Sequence, residues 1–274
     1  MTSLNQAQAM PTDALVKQKL PHEQEHFEAL QRMNAMLPYY RWVADSFGSA
    51  LGRRVLDAGC GVGNFFSAAA ERVELGIGVD LSPVNIADAR KRFADHDNIR
   101  FLHADLDEQA QALRDARFDT VVCLDVLEHI EDDAALLKRL AEIVEPGGHV
   151  LIKVPACPWL FGSVDVASDH YRRYNREMLR QIAAQAGLEV QRLRYMNLAG
   201  VGPYFLKSRI LKKQANFSRT FTPRQLDRIR RVMPWLRWID RLTGPPVGQS
   251  LVMVARRPVN PEASAKSQRS SRSR

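Results

Sequence analysis

Three glycines at alternating positions follow a short apolar run that contains a carboxylate. Asp57 lies in the run 55–58, and Gly59, Gly61 and Gly63 come directly after it. Glycine takes positive φ and lets another molecule approach the backbone closely, so this stretch predicts a strand and a tight turn that holds a ligand. Asp57 stands two residues before the first glycine, where it can orient a cationic group through charge-assisted hydrogen bonds.

The glycine spacing excludes the dinucleotide fingerprint. That fingerprint, G-x-G-x-x-G, needs a third glycine where Asn64 stands when the count starts at Gly59. The pattern present here is acid-x-G-x-G-x-G, which suits a ligand that carries an ammonium and a sulfonium group.

Further carboxylates follow the next apolar runs. Asp80, Asp105 and Asp125 each stand at or just after the end of such a run. Ligands of open α/β sheets bind at the carboxyl ends of the strands, so these side chains and the glycine turn predict one ligand site.

Two histidines are candidate bases. His129 follows Asp125 closely, and His170 lies in a loop with Asp165, Tyr171 and Arg173. A histidine near its ordinary pKa can remove the proton of a hydroxyl acceptor, so we predict catalytic roles for both and substrate binding by the other three. The structural alternative is that His129 caps a helix while the arginines pair with nearby acids and the tyrosines pack the loop down. No metal site is predicted.

The elements that must position these residues form an α/β pattern. Strands alternate with helices, which predicts a parallel sheet. The predicted strands are Val55–Ala58, Leu75–Val79, Ile99–Leu102, Thr120–Leu124, His149–Val154, Leu188–Arg194 and Ser250–Ala255. The predicted helices are Phe65–Arg72, Val84–Asp95, Asp133–Val144 and a helix from Asn175 to Ala186, with helices broken near Pro38 in the segment 22–47 and a turn at 145–148.

A long insert separates the last two strands. Residues 197–248 contain two stretches of helical apolar spacing, in which basic residues alternate with Trp235 and Trp238. One interpretation is a pair of amphipathic helices on a membrane surface. The other is a helical subdomain packed on the sheet with solvated arginines.

Composition limits the remaining possibilities. The chain has 274 residues and a formal net charge of +8, to which the tail from Arg256 contributes five charges net. We predict disordered residues at 1–20, a main domain at 21–256 and a disordered basic tail at 257–274. Cys60, Cys123 and Cys157 are widely spaced, and no apolar run is long enough to span a bilayer, which favours a cytoplasmic protein with the alternative of membrane association.

The motifs together resemble class I S-adenosylmethionine-dependent methyltransferases. The stretch VLDAGCGVGNF resembles the family's first motif, and the later motifs follow in its order. They are GVDLS at 78–82, HADL at 103–106, FDTVVCLDVLEHI at 118–130 and EPGG at 145–148. This resemblance implies a Rossmann-like, seven-stranded, mostly parallel sheet of order 3-2-1-4-5-7-6, with helices on both faces and the helical insert between the last two strands.

The resemblance also implies S-adenosylmethionine as the cofactor and a role for each motif. Asp57, Gly59, Cys60, Gly61 and Gly63 would surround its amino-acid end. Asp80 and Leu81 would bind the ribose, Asp105 and Leu106 the adenine, and Leu124 and Asp125 the methionine part.

The loop at 165–174 resembles a bacterial subgroup of these enzymes with a DHYRRY-type loop. That subgroup often has glycine where this chain has Asp169, whose carboxylate either raises the basicity of His170 or is solvated. We therefore predict methyl transfer to an oxygen or nitrogen of a small-molecule or lipid-linked acceptor. The alternatives are a nucleic-acid methyltransferase, disfavoured because the base-methylating Asn/Asp-Pro-Pro-Tyr motif is missing, and a non-catalytic S-adenosylmethionine-binding protein.

Overall fold

The computed structural model describes residues 21–212 and 223–259 of the chain. The lead-in predicted at residues 1–20 lies outside the described residues, as do most of the tail predicted at 257–274 and residues 213–222 of the insert. The domain boundaries therefore stay a prediction.

The core of the fold is a seven-stranded sheet of order β3-β2-β1-β4-β5-β7-β6, which confirms the predicted order. The strands are β1 Arg54–Ala58, β2 Leu75–Asp80, β3 Ile99–His103, β4 Phe118–Leu124, β5 Val144–Pro155, β6 Glu189–Met196 and β7 Ser250–Arg256. β1 to β5 run parallel, whereas β7 is antiparallel to both β5 and β6. The central strands are buried on both faces, as their near-continuous apolar runs predict.

Helices cover both faces of the sheet and enclose two apolar clusters. The α-helices of the described ranges are α1 Pro21–Met33, α2 Leu37–Phe47, α3 Phe66–Ala69, α4 Pro83–Arg92, α5 Ala110–Asp115, α6 Asp133–Ile143, α7 Ser163–Val166, α8 Arg176–Gln185, α9 Val201–Phe205 and α10 Pro223–Thr243. Asn175 caps α8 by accepting a hydrogen bond from the Met178 amide, as the sequence predicts.

Several boundaries differ from the predicted ones. The turn predicted at 145–148 is wrong, because β5 already begins at Val144 and passes this segment with a shift of register against β4 and with Gly147 at φ +88°. The break between the first two helices lies at Asn34–Met36, and Pro38 stands in the first turn of α2, where its missing N–H costs nothing. The sequence pattern does not predict α5 and α7, which are short helices of six and four residues.

The insert is anchored to the body by one face of α10. Met233 is buried in the apolar cluster that includes α2, Arg237 lies 2.8 Å from Asp45, and Asp240 accepts a hydrogen bond from the Leu198 amide. After α9, a π-helical turn at Leu206–Ile210 packs on α7. None of the helices in the described ranges is long and apolar enough to span a bilayer.

Candidate functional site

The carboxyl ends of the parallel strands meet at one edge of the sheet. The register pairs Asp57 of β1 with Gly78 of β2, and Asp80 at the end of β2 with His103. Leu124 at the end of β4 pairs with Lys153 of β5. The sheet therefore brings the predicted cofactor-binding residues to a common edge.

The turn has no room for a side chain at its three glycine positions. Gly59, Gly61 and Gly63 have φ values of +76°, +52° and +78°. A Cβ at Gly59 would lie 2.4 Å from the Val126 side chain, and a Cβ at Gly61 would lie 2.9 Å from that of Leu30. Positive φ and close neighbours both require glycine at these positions.

Asp80 ties this turn to the end of β2. Its carboxylate accepts hydrogen bonds of 2.8 Å from the Gly61 amide and 2.8 Å from the Ser82 amide, and one of 3.2 Å from the Asn85 side chain. The carboxylate is thus fixed at the position where a ribose contact is expected. Beside it, Leu81 is 68% exposed, although it is a large apolar residue.

Asp57 is a buried carboxyl group under the turn. It is only 2% exposed, and desolvation together with the nearby charge of Asp80 raises its pKa to about 8. A cationic group bound beside Asp57 would favour the ionised form and offset the desolvation.

Asp125 and Lys153 form an ion pair at the end of β4. Lys153 Nζ lies 2.6 Å from Asp125 Oδ1, and Asp125 has φ +54°. Burial lowers the pKa of Lys153, but the charge of Asp125 and contact with Tyr39 outweigh it and raise the pKa above its usual value. The sequence reading missed Lys153, although a lysine inside the apolar run of β5 is the signal that could have found it.

The remaining cofactor-binding candidates lie along the same edge. The Asp105 carboxylate accepts a 2.7 Å hydrogen bond from the Asp107 amide, and both Asp105 and Leu106 are half-buried. Cys60 is buried and its amide donates to Val79 O at 3.0 Å. The bare glycine turn and the buried acid beneath it fit a cofactor with a cationic amino-acid end, while the role of each residue stays a prediction.

His170 is held by a buried carboxylate. Its Nδ1 lies 3.1 Å from Oδ1 of Asp165, which α7 carries into the interior and which is fully buried. Arg173, 3% exposed, donates to the same oxygen at 2.7 Å and to Ala156 O at 2.8 Å, and it stacks on Tyr204 at 4.1 Å. Desolvation raises the pKa of Asp165, but the hydrogen bond from His170 and the charge of Arg173 outweigh it and hold that pKa below its usual value.

The burial of Asp165 and Arg173 bears on their predicted substrate contacts. Both charged groups are engaged by the protein's own groups, which favours the interpretation of an internal ion pair that orients His170. Tyr171 is 57% exposed beside them and remains the substrate-binding candidate that faces solvent.

Asp169, the residue directly before His170, lies at the surface, whereas Asp165 is buried. Asp169 is exposed and has φ +55°, the left-handed region that glycine occupies most easily. The carboxylate that contacts the imidazole is that of Asp165, and the exposure of Asp169 favours the solvated interpretation.

His129 lies against His170. Their ring centroids are 4.7 Å apart in an edge-to-face arrangement, and the ring centroid of His26 of α1 lies 6.3 Å from that of His129. Burial first, and then the neighbouring His170 and His26, lower the pKa of His129 to about 4, so the imidazole is neutral near pH 7. The sequence reading missed His26, because only the tertiary packing of α1 brings it to this cluster.

Comparison with known proteins assigns the chain to a family. The profile of a methyltransferase domain family matches residues 28–193. Curated relatives include the ubiquinone biosynthesis O-methyltransferase of Acinetobacter baylyi, 30% identical over 130 residues, and that of Aeromonas salmonicida, 32% identical over 112 residues. These matches cover 47% and 40% of this chain and 53% and 47% of the relatives, so the chain spans about half the length of the curated relatives it matches.

Solved structures share the fold. Phosphoethanolamine N-methyltransferase 2 of Haemonchus contortus, in complex with S-adenosyl-L-methionine, is 23% identical with a TM-score of 0.50 and covers 79% of this chain and 51% of its own. A Haloferax volcanii protein described as a putative methyltransferase, in complex with the Trm112 activator, is 18% identical with a TM-score of 0.54, covering 85% of this chain and 96% of its own.

Proposed function

The chain belongs to this methyltransferase domain family, and we propose that it transfers a methyl group from S-adenosylmethionine to an oxygen atom of a hydroxylated acceptor. The observation that carries this proposal is the His170 imidazole, oriented by buried Asp165 beside the strand edge that holds the glycine turn. The curated relatives are O-methyltransferases by name, which supports oxygen over nitrogen.

The cofactor is S-adenosylmethionine, which supplies a methyl group on a cationic sulfonium when it is bound. Asp57 and the glycine turn would hold its amino-acid end, Asp80 and Leu81 its ribose, and Asp105 and Leu106 its adenine. Leu124 and Asp125 would face the methionine part, and Lys153 fixes the Asp125 carboxylate. Displacement at a methyl group needs alignment and exclusion of water more than covalent chemistry from the protein.

His170 takes the proton of the acceptor hydroxyl. Asp165 occupies Nδ1, so Nε2 is the nitrogen that receives the proton, and the carboxylate stabilises the imidazolium that forms. His129 lies edge-to-face against this ring and contacts the acceptor as a neutral imidazole. Tyr171, exposed at the rim of the cluster, contacts the body of the acceptor.

The acceptor is a small molecule or a lipid-linked one that the protein meets at a membrane surface. Exposed apolar side chains of the insert support peripheral membrane contact. They are Phe205, Leu206, Ile210, Leu211, Val232, Trp235, Trp238, Ile239 and Leu242. Basic residues such as Arg228 and Arg241 are exposed among them, a combination that favours anionic lipid surfaces.

The insert also connects to the loop of the proposed base. The Ser163 hydroxyl donates to Ser208 O at 3.0 Å, and the Val164 amide donates to the Ser208 hydroxyl at 3.3 Å. These bonds join the π-helical turn to α7, which carries Asp165.

The test of the proposed reaction is incubation of the protein with methyl-labelled S-adenosylmethionine and bacterial extract, followed by mass spectrometry of the labelled product. We expect the label on an oxygen atom of a small or lipid-linked molecule. Label on nitrogen, or on nucleic acid, would contradict the proposed acceptor.

The test of membrane contact is flotation with vesicles that contain anionic phospholipid. We expect the protein to float with them, and the double variant Trp235→Ser, Trp238→Ser to float less. Val259→Ser, which changes an exposed apolar residue outside the insert, serves as the control. Equal flotation of all three proteins would remove the insert from the proposal.

A further inference from the structure

Glu128, His129 and His170 form a cluster of metal-ligating groups that the methyl-transfer proposal only partly uses. One potential ligand atom from each residue lies within 4.8 Å of those of the other two. No metal site is predicted from the sequence, whose three cysteines are widely spaced and lack a CxxC pair.

The His170 imidazole is held in the way that metal-ligating histidines are. It uses Nδ1 for the contact with Asp165, which assigns Nε2 as the ligand atom. Oxygen partners of this kind orient metal-bound imidazoles and raise their basicity.

Glu128 supplies the observation that points to a ligand. Its side chain is 1% exposed, and within the part of the chain that the structure describes Oε2 has no hydrogen-bond partner. A buried carboxylate oxygen without a partner is costly, so a group that binds it would repay the desolvation. The Glu128 backbone is fixed separately, because its carbonyl accepts a 2.8 Å hydrogen bond from the Tyr171 amide.

We propose that Glu128, His129 and His170 form a binding site for a divalent transition-metal cation of the Zn²⁺ type. Two imidazoles and one carboxylate are a common protein donor set for such ions, and they leave a coordination position for water or substrate. Mg²⁺ prefers an all-oxygen environment, so the two nitrogen ligands disfavour it.

The consequence for activity rests on the proposed function. A cation bound to His170 occupies the nitrogen lone pair that the base needs, and it stands where the acceptor oxygen is expected. The cation is therefore an inhibitor, and chelation restores turnover.

The binding test uses Co²⁺ and Zn²⁺ as probes and needs no activity. We expect the metal-free full-length protein to give the visible absorption spectrum of a low-coordinate Co²⁺ site, which Zn²⁺ abolishes and excess Mg²⁺ leaves unchanged. Glu128→Gln keeps the size of the side chain and should weaken binding at least about 100-fold, since loss of an outer-shell partner alone costs 10–100-fold. His96→Gln, which changes a histidine outside the cluster, should bind like the unchanged protein.

Two results would overturn the site. One is a Co²⁺ spectrum indistinguishable from that of the ion in buffer, and the other is equal Co²⁺ affinity in the Glu128→Gln and unchanged proteins, with native melting confirmed for both.

The inhibition test compares turnover with and without Zn²⁺. We expect Zn²⁺ to inhibit the unchanged protein, a chelator to reverse this, and Glu128→Gln to need at least about 100-fold more Zn²⁺ for the same inhibition. Activation by Zn²⁺, or tight Zn²⁺ binding without inhibition, would overturn the inhibitory role. Failure of the proposed function is distinguishable, because it would leave the metal-free protein inactive while Co²⁺ still binds.

Discussion

Nδ1 of His170 lies 3.1 Å from Oδ1 of Asp165, a carboxylate that is fully buried and also paired with Arg173. This relationship fixes which nitrogen of the imidazole can face an acceptor. The burial of the Asp165 carboxylate favours a positioning role over a substrate contact.

Asp165→Asn should therefore reduce both stability and turnover. The change leaves the buried Arg173 guanidinium without its counter-charge, which costs on the order of 3–5 kcal/mol of unfolding free energy. Loss of the orienting carboxylate should lower kcat by about 100-fold or more, with a smaller effect on cofactor affinity. Denaturant unfolding and steady-state kinetics measure these effects. The matched control is Asp169→Asn, an exposed carboxylate one residue before His170, and identical behaviour of the two variants would refute the positioning role.

Cofactor affinity should depend on pH through Asp57. Its pKa of about 8 means that most of the carboxyl groups are protonated at pH 7 in the free protein. A cationic ligand favours the carboxylate, so binding releases a proton and affinity increases as pH rises towards 8. Calorimetry in buffers of different ionisation enthalpy measures the proton release. Asp57→Asn should bind about 10–100-fold more weakly at pH 8 and without this pH dependence, as expected for one charge-assisted hydrogen bond.

The same group predicts a pH dependence of stability. The native state holds the Asp57 proton between the unfolded pKa of about 4 and the folded pKa of about 8, whereas the unfolded state releases it. The Asp57 contribution is thus favourable at low pH and is lost as pH rises across this window. Asp57→Asn should be more stable than the unchanged protein above pH 8. A stability difference that does not vary with pH would show that the carboxyl ionises normally.

Two glycine substitutions separate backbone strain from steric exclusion. Gly59 and Gly187 have φ values of +76° and +70°, but a Cβ at Gly59 meets Val126 at 2.4 Å, whereas one at Gly187 meets nothing within 4 Å. Gly187→Ala should cost about 1 kcal/mol through strain alone. Gly59→Ala should cost about 2 kcal/mol more through overpacking and should also weaken cofactor binding. Equal losses of unfolding free energy would mean that the Val126 contact relaxes freely.

The ion pair at the end of β4 should respond asymmetrically to removal of its partners. The Lys153 side chain is 5% exposed and that of Asp125 is 49% exposed. Lys153→Met replaces the buried amine with an apolar chain and lets Asp125 return to water, so we expect a change within about 1 kcal/mol. Asp125→Asn leaves a buried ammonium without its counter-charge and should cost about 3 kcal/mol, although asparagine tolerates the positive φ. Thermal unfolding of the two variants measures these losses. A larger loss of unfolding free energy in Lys153→Met than in Asp125→Asn would contradict the expected asymmetry.

The sheet and the glycine turn were predictable because their signals are local. Apolar runs of strand length and glycines at positions of positive φ depend on residues close together in the chain. Lys153 was missed because one charge within an apolar run says nothing about its partner at the end of another strand.

The loop of the proposed base shows more clearly what the sequence alone does not predict. The sequence placed Asp165, His170 and Arg173 in one loop, but only the fold shows that α7 buries the carboxylate and that Arg173 pairs with it. Which groups a loop exposes depends on tertiary packing, here on the insert that contacts α7. His26 and His170 likewise reach Glu128 and His129 only through long-range packing.

The most direct test of the proposed reaction is one experiment on the unchanged protein and on His170→Ala. Calorimetry gives the affinity for S-adenosylmethionine, and transfer of labelled methyl to the acceptor found in extract gives the turnover. We expect equal cofactor affinity in both proteins, and a loss of turnover of at least about 100-fold in His170→Ala, because only the proton transfer is removed. Unchanged turnover in His170→Ala would contradict the role of His170 as the base. Tight cofactor binding without methyl transfer by the unchanged protein would contradict the proposed reaction.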